Sequence, residues 1–367
     1  AAALLAALAA ARARPALPAE FTRRAVLRGK LDLAQAEGVG ALVDARTQAM
    51  RRAALAQLDG GLSRRVAALR EALLHAEALL AYDIDFPEED DGPLGRDAVA
   101  LAVGNALDGV EALLATAPAG AIARDGAAVV IAGPPNAGKS SLFNALAGEA
   151  RAIVTDVPGT TRDALEATVE RDPWPLRLVD TAGLRDTDDR VERLGIEVAE
   201  RWLGRAHVVL ACGEEQEDVE RTADFVRART DAPILGVLTK QDERRASSVE
   251  HAPLDARRST LPSLRVSAET GAGLAALAQA AVDAVTAHWG APDPDLPLVT
   301  HARHLRALGA ARDELRAFAD AWDQDALPAP VAAVHLRAAA GALEELIGGV
   351  DVEDVLGRVF ATFCVGK

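Results

Sequence analysis

The run Gly133-Pro-Pro-Asn-Ala-Gly-Lys139-Ser140 follows an apolar stretch from Ala127 to Ala132 and opens a helical pattern through Leu142, Leu146 and Ala147. Phosphate chemistry calls for these residue types in this order. Glycines let backbone N–H groups close around phosphate oxygens, Lys139 brings a point charge to the terminal phosphates, and Ser140 offers a hydroxyl to Mg²⁺. The strand before and the helix after separate a phosphate-binding loop from an ordinary glycine-rich turn. Asn136, Ala137, Gly138 and Ser141 complete the stretch expected to face a nucleotide.

Further signals follow in the order that a guanine-nucleotide hydrolase needs. Asp180-Thr181-Ala182-Gly183 closes a strand pattern, so that Asp180 can hold Mg²⁺ through water and the Gly183 N–H can sense a γ-phosphate. Gly159-Thr160-Thr161-Arg162-Asp163 lies before it in a polar loop, where a threonine hydroxyl can complete Mg²⁺ coordination. Thr239-Lys240-Gln241-Asp242 ends another strand, and Ser267-Ala268-Glu269 follows the next. Asp242 selects the base: its carboxylate accepts the N1–H and amino N–H of guanine, a donor pair that adenine lacks, at roughly 1.5 to 3 kcal/mol per charged hydrogen bond. Asparagine is the usual first residue of this motif, and Thr239 departs from it.

Hydrolysis also needs a positioned water and a cation against developing charge. Leu184 stands where Ras-like enzymes carry a water-positioning glutamine. The amide oxygen of Asn136 can hold a monovalent cation beside the phosphates instead. Glu192, at the start of a helical pattern over 191–201, can orient water through a second one, or is an ordinary exposed helix carboxylate.

These residues must be positioned by α/β elements. Short β runs at Ala127–Ala132, Leu165–Glu170, Leu176–Asp180, Val208–Ala211, Ile234–Leu238 and Leu264–Val266 alternate with helical patterns, and Arg-Asp-Pro-Trp-Pro at 171–175 predicts a hairpin between the second and third. Helices flank this insert. Leu55, Leu58, Leu62, Val66, Leu69, Leu73, Ala76 and Leu80 step by three and four, predicting one long packed helix. The acidic stretch Asp83–Gly95 breaks the pattern, and a second stripe runs through Leu101, Leu107, Val110 and Leu114. Residues 118–126 read as a linker, as does the Pro/Asp-rich 291–297, after which helical patterns return from Val299.

Composition bounds the rest. The chain has 367 residues, 50% hydrophobic and only 3% aromatic, so a core of Ala, Leu and Val is expected and no base-stacking platform. A net charge of -15 disfavours nonspecific attraction to nucleic acid or anionic membrane. Residues 1–30 run the other way, with Arg12, Arg14, Arg23, Arg24, Arg28 and Lys30 against Glu20 alone, either a basic patch for an anionic partner or a solvated face. Cys212 and Cys364 cannot build a cysteine-rich zinc site, and the thiol count suits a reducing cytosol. His301 and His304, three apart, either touch one ion or form a polar helix face. Ala1–Ala11 is apolar but too short to span a bilayer, and a chain starting on Ala within a helical pattern reads as beginning inside a domain.

The stretches Ala19-Glu-Phe-Thr-Arg-Arg-Ala25, Gly29 to Glu37, Leu42-Val-Asp-Ala-Arg46, Asp85-Phe-Pro-Glu-Glu-Asp90, the loop and helix at 133–146, Val157-Pro-Gly-Thr-Thr-Arg-Asp163, Asp180–Arg185 and the terminal Cys364-Val-Gly-Lys367 stand together in this chain. In them the chain resembles the MnmE (TrmE) family of tRNA-modifying GTPases. It implies an α/β P-loop GTPase domain, Ras-like with a mixed, mostly parallel sheet, inserted into an all-α helical bundle. The implied division is 1–28 as the remnant of an N-terminal folate-binding and dimerisation domain, 29–122 and 291–367 as the helical domain, and 123–290 as the GTPase domain.

Carried over residue by residue, the resemblance implies a K⁺ site at Asn136, Thr155, Val157 and Thr160, within a nucleotide-binding loop that includes Asp156, Pro158 and Gly159. It implies Mg²⁺ ligands at Ser140 and Thr161, a catalytic Glu192, and surviving folate contacts at Lys30 and Lys367. Cys364 matches the family's C-terminal thiol near the modifying centre, and on its own residues would be a small buried hydrophobe. The expected activity is K⁺-stimulated GTP hydrolysis in the cytoplasm by a homodimeric family without a membrane span. That hydrolysis would drive, with the flavoprotein MnmG (GidA) and a tetrahydrofolate derivative, carboxymethylaminomethyl addition to C5 of the tRNA wobble uridine. A rival expectation is a non-modifying GTP-dependent switch or assembly factor acting on ribosome or membrane.

Overall fold

The structure is a computed structural model and describes residues 2–85, 96–149, 153–154, 165–180, 200–241, 261–291, 297–323 and 329–348. It divides into two compact units: residues 1–45, 51–120 and 293–367 form one, and residues 46–50 and 121–292 the other.

The first unit is helical. It contains α1 (Ala2–Ala10), α2 (Glu20–Leu27), α3 (Leu33–Asp44), most of α4 (Gln48–Leu58), α5 (Gly61–Asp85) and α6 (Arg96–Ala115). α7 (Ala117–Asp125) straddles the boundary between the units, and α11 (Ala302–Asp323) and α12 (Ala329–Ile347) complete the first. Its core joins Leu62, Val66, Leu69 and Leu73 of α5 to Val103 and Val110 of α6, Leu308 and Phe318 of α11, and Leu336 and Leu343 of α12. Two flanks distant in sequence thus make one apolar core.

Three expectations need correction here. The single helix predicted over Leu55–Leu80 is two, because Gly60 takes a left-handed φ of 77° between α4 and α5; Leu55 is left exposed. On α6 three residues of the predicted stripe face the core, Val110 buried and Leu107 and Leu114 packed against it half-buried, but Leu101 is 66% exposed and the buried face runs through Val99, Val103, Ala106, Val110 and Leu113. Residues 118–125 are no linker: α7 occupies them, because Pro118 falls in its first turn, where a missing N–H costs nothing. By length and composition alone Asp97–Asp125 could cross a membrane, but its Val99–Leu113 face is built into the bundle core.

The second unit is an α/β domain with a seven-stranded sheet in the order β2-β3-β4-β1-β5-β6-β7. The strands are β1 (Ala127–Ala132), β2 (Ile153–Val154), β3 (Leu165–Val169), β4 (Leu176–Asp180), β5 (Val208–Gly213), β6 (Ile234–Leu238) and β7 (Ser263–Arg265). β1 pairs in parallel with β4 and β5, β5 with β6, and β6 with β7, while β3 is antiparallel to β2 and β4. The mixed, mostly parallel sheet is the expected one, and β3 and β4 are joined by the expected hairpin. β1 is buried on both faces, which is why it reads as an unbroken apolar run. α8 (Lys139–Glu149), α9 (Gln216–Arg227) and α10 (Leu274–Trp289) belong to the same unit.

Candidate functional site

The strand order reverses at β1, which has β4 and β5 as its neighbours in the sheet, and the C-terminal edge of such a switch point is where open α/β sheets hold ligands. The loop 133–138 leaves β1 there and α8 begins at Lys139. Gly133 has to be glycine: a Cβ would come within 2.5 Å of the Cys212 carbonyl oxygen on β5. Asn136 is exposed with φ of 62°, a conformation asparagine tolerates better than most residues. Ser140 and Ser141 are exposed at the start of α8, where free N–H groups favour an anion.

Lys139 is 7% exposed and its Nζ donates to the Pro134 carbonyl at 2.6 Å, so the ammonium lies over its own loop. Asp180, fully buried, sits opposite Ile131 in the β1/β4 register, one strand from the loop. Desolvation, joined by the Asp180 charge and opposed by that of Lys139, holds the buried Cys212 thiol protonated, with a pKa pushed up to about 12. Cys212 is therefore a packing residue and not a nucleophile.

From the other side, Thr239 ends β6 and its Oγ1 lies 2.8 Å from the Ala137 carbonyl oxygen. Lys240 turns with φ of 54° and pairs with Glu214 at 2.5 Å. Gln241 Nε2 donates to the Thr239 carbonyl at 2.9 Å. Ser267 is buried, with its Oγ accepting the Thr270 N–H at 3.0 Å, next to half-buried Ala268 and exposed Glu269. The structure thus brings Asn136–Ser141, Asp180, Thr239, Lys240 and Ser267 to one edge of one sheet. Thr155–Thr161, Thr181, Ala182, Gly183, Glu192, Asp242, Cys364 and Lys367 lie outside the described residues.

Elsewhere, Lys30 is exposed on the turn between α2 and α3, its N–H donating to the Ala25 carbonyl at 2.9 Å. In the basic N-terminal segment, Arg14 grips Glu20 through two hydrogen bonds of 2.7 Å and Arg24 lies 3.7 Å from the same carboxylate. Sequence reasoning missed one constellation. Glu37 lies with His301 and His304, their ligand-type atoms all within 4.8 Å of one another. Only the i, i+3 histidine spacing pointed to it. Both carboxylate oxygens are already taken by Arg303, at 2.9 and 3.0 Å, and His304 Nε2 donates to one of them at 2.5 Å. The fixed guanidinium makes this a neutralised ion-pair network, since a divalent ion would have to sit beside a cation.

Comparison with known proteins adds the following. The model of the MnmE helical domain family matches residues 33–364. The tRNA modification GTPase MnmE of Aquifex aeolicus is 38% identical over 364 residues, 97% of this chain and 78% of that protein. Its namesake from Acidiphilium cryptum is 42% identical over 371 residues, covering 100% of this chain and 79% of that protein. In Symbiobacterium thermophilum the protein of that name is 43% identical over 363 residues, 97% and 77%. Among solved structures, the G domain of the T. maritima FeoB iron transporter is similar with 25% identity and a TM-score of 0.34 over 43% of this chain and 98% of that one.

Proposed function

We propose, from the premise that the chain belongs to the MnmE family of tRNA modification GTPases and so hydrolyses GTP in tRNA modification, that GTP is held and cleaved at the C-terminal edge of β1, β4, β6 and β7 in a K⁺-stimulated cycle. The observation that supports this most is the convergence of the Asn136–Ser141 loop, Asp180 and Thr239 at that edge. A nucleotide there meets loop N–H groups and the Lys139 ammonium at its phosphates, with Asp242, next after Gln241, serving the base.

The donor set suits the ions. Asp180, a wholly buried carboxylate, and Ser140, an exposed hydroxyl at a helix start, offer the hard oxygens Mg²⁺ takes. Ser140 and Thr161 would hold Mg²⁺ with Asp180 behind a water, and Asn136, Thr155, Val157 and Thr160 would hold K⁺. Together the two ions supply positive charge against the phosphates in place of an arginine. Glu192 orients the attacking water. Switching follows from loop 155–163 ordering around the γ-phosphate, so that two such domains meet face to face and part after hydrolysis.

The cycle drives carboxymethylaminomethyl addition to C5 of the wobble uridine of certain tRNAs, in the cytoplasm, with the flavoprotein MnmG. The one-carbon unit comes from a folate held in part by Lys30 and Lys367, with Cys364 nearby. Residues 1–28 belong with the folate-binding domain, 123–290 form the GTPase domain, and 29–122 and 291–367 the helical domain. GTP turnover measured in KCl against NaCl tests the cation: turnover should be several-fold faster in KCl, and Asn136→Ala should erase the difference. Equal rates in the two salts would remove K⁺ from the mechanism.

A further inference from the structure

Two backbone carbonyls, one from the phosphate loop and one from a strand end, converge on one hydroxyl. Thr239 Oγ1 is 2.8 Å from the carbonyl oxygen of Ala137, in the phosphate loop, and 3.1 Å from that of Gly213, at the end of β5. A hydroxyl carries a single hydrogen. The nearer partner is Ala137, and the Gly213 carbonyl already accepts the Thr239 N–H at 2.9 Å. The side-chain hydrogen therefore goes to the loop. Thr239 is 3% exposed and Ala137 2%, so water does not replace this bond if it is lost.

The bond falls where the loop needs support. Asn136 and Gly138, on either side of Ala137, both take left-handed φ values, 62° and 73°. Even asparagine, which tolerates this conformation better than most residues, is strained there relative to glycine, and tertiary contact helps to hold it. The position of Thr239 is itself set by the sheet: its N–H continues the β5/β6 ladder onto Gly213, and Gln241 Nε2 closes on its carbonyl at 2.9 Å.

We propose that Thr239 is a positioning residue that braces the phosphate loop and is not a ligand of the nucleotide. We also propose that its single hydrogen makes this chain release guanine nucleotide faster than an asparagine at the same place would. An amide presents two hydrogens. One can serve the Ala137 carbonyl and the second that of Gly213, whose oxygen has a second lone pair beside the one that accepts the Thr239 N–H, so the loop N–H groups stay aimed at phosphate for longer. The inference rests on the nucleotide being held by this loop.

The test is the release rate of a fluorescent GDP analogue from the full 367-residue chain at fixed Mg²⁺ and K⁺. Thr239→Val keeps the shape and removes the hydrogen, and should release about tenfold faster, the scale of one lost buried hydrogen bond. Thr239→Ser restores the hydroxyl and should fall within about twofold of the parent, while Thr239→Asn should release about threefold more slowly or better. The preference for GDP over ADP should not change in the valine variant, since Asp242 selects the base. A valine variant that releases at the parental rate, an asparagine variant that releases faster, or a lost base preference would each overturn the proposal. If the valine variant does not fold, the serine and asparagine pair decides. A parent chain that bound no guanine nucleotide would instead refute the site at this loop.

Discussion

At the scale of single residues, Glu37 shows how the helical unit tolerates a buried charge. Burial by itself would raise its pKa, but hydrogen bonds from His304 and Arg303 outweigh that and hold the carboxyl at about 2. The same Arg303 donates to the carbonyls of Glu345 and Leu346 at 2.8 and 3.0 Å, so one guanidinium joins the start of α3 to the last turn of α12. Glu37→Gln removes the counter-charge and leaves Arg303 18% exposed beside a neutral amide. Breaking such a pair should cost about 3–5 kcal/mol in urea unfolding. The double replacement Glu37→Met with Arg303→Met removes both desolvation penalties and should recover most of that loss. A double variant as unstable as the single one would show that the helix-end carbonyls, and not the charge pair, carry the effect.

At the scale of elements, what could be read from sequence depended on how each pattern meets its surroundings. β1 and β5 were legible because strands buried on both faces must be continuous apolar runs, and the phosphate loop because its residue types are dictated by phosphate. Among the described residues β2 comprises Ile153 and Val154, too few to carry a period. α7 was hidden because Pro118 and Gly120 read as breakers until the position of the proline within the first turn is known. On α6 only Leu101 was misplaced, because leucine drew attention away from the smaller Val99, Val103 and Ala106 that complete the close-packed face. In the site, the hydroxyl of Thr239 and the carbonyl of Ala137 are 102 residues apart, and no local pattern announces that bond. The α6 assignment is testable: Leu101→Lys should change stability by no more than about 0.5 kcal/mol. Val103→Ala, by contrast, opens a cavity in the bundle core and should cost about 1–2 kcal/mol. Equal costs would return Leu101 to the core.

At the scale of the whole molecule, each unit carries its own acid-sensitive group, and the two respond in different pH windows. In the α/β unit, His207 opens β5: its N–H donates to the Ala128 carbonyl at 2.8 Å and its Nδ1 accepts the Ala128 N–H at 2.9 Å. Desolvation, helped by the Arg177 charge, lowers its pKa from 6.5 to about 4, so the ring is kept neutral as an acceptor. Below the unfolded value the unfolded chain binds the proton first, and stability contributed by His207 is lost as pH falls from 6.5 toward 4. In the helical unit, Glu37 contributes stability that is complete above 4.5 and lost as pH falls toward 2. Acid should therefore weaken the α/β unit first. Tryptophan reports this separately, since Trp174, Trp202 and Trp289 belong to the α/β unit and Trp322 to the helical core. In a Trp322→Phe chain, the denaturant midpoint followed by fluorescence should already decline between pH 6.5 and 4, whereas helical circular dichroism should retain a second transition that declines only below about 4.5. His207→Gln, which keeps an acceptor but cannot titrate in this range, should flatten the first decline and leave the second in place. A fluorescence midpoint indifferent to pH above 4.5 in the histidine-bearing chain would show that His207 contributes no pH-dependent stability to the α/β unit.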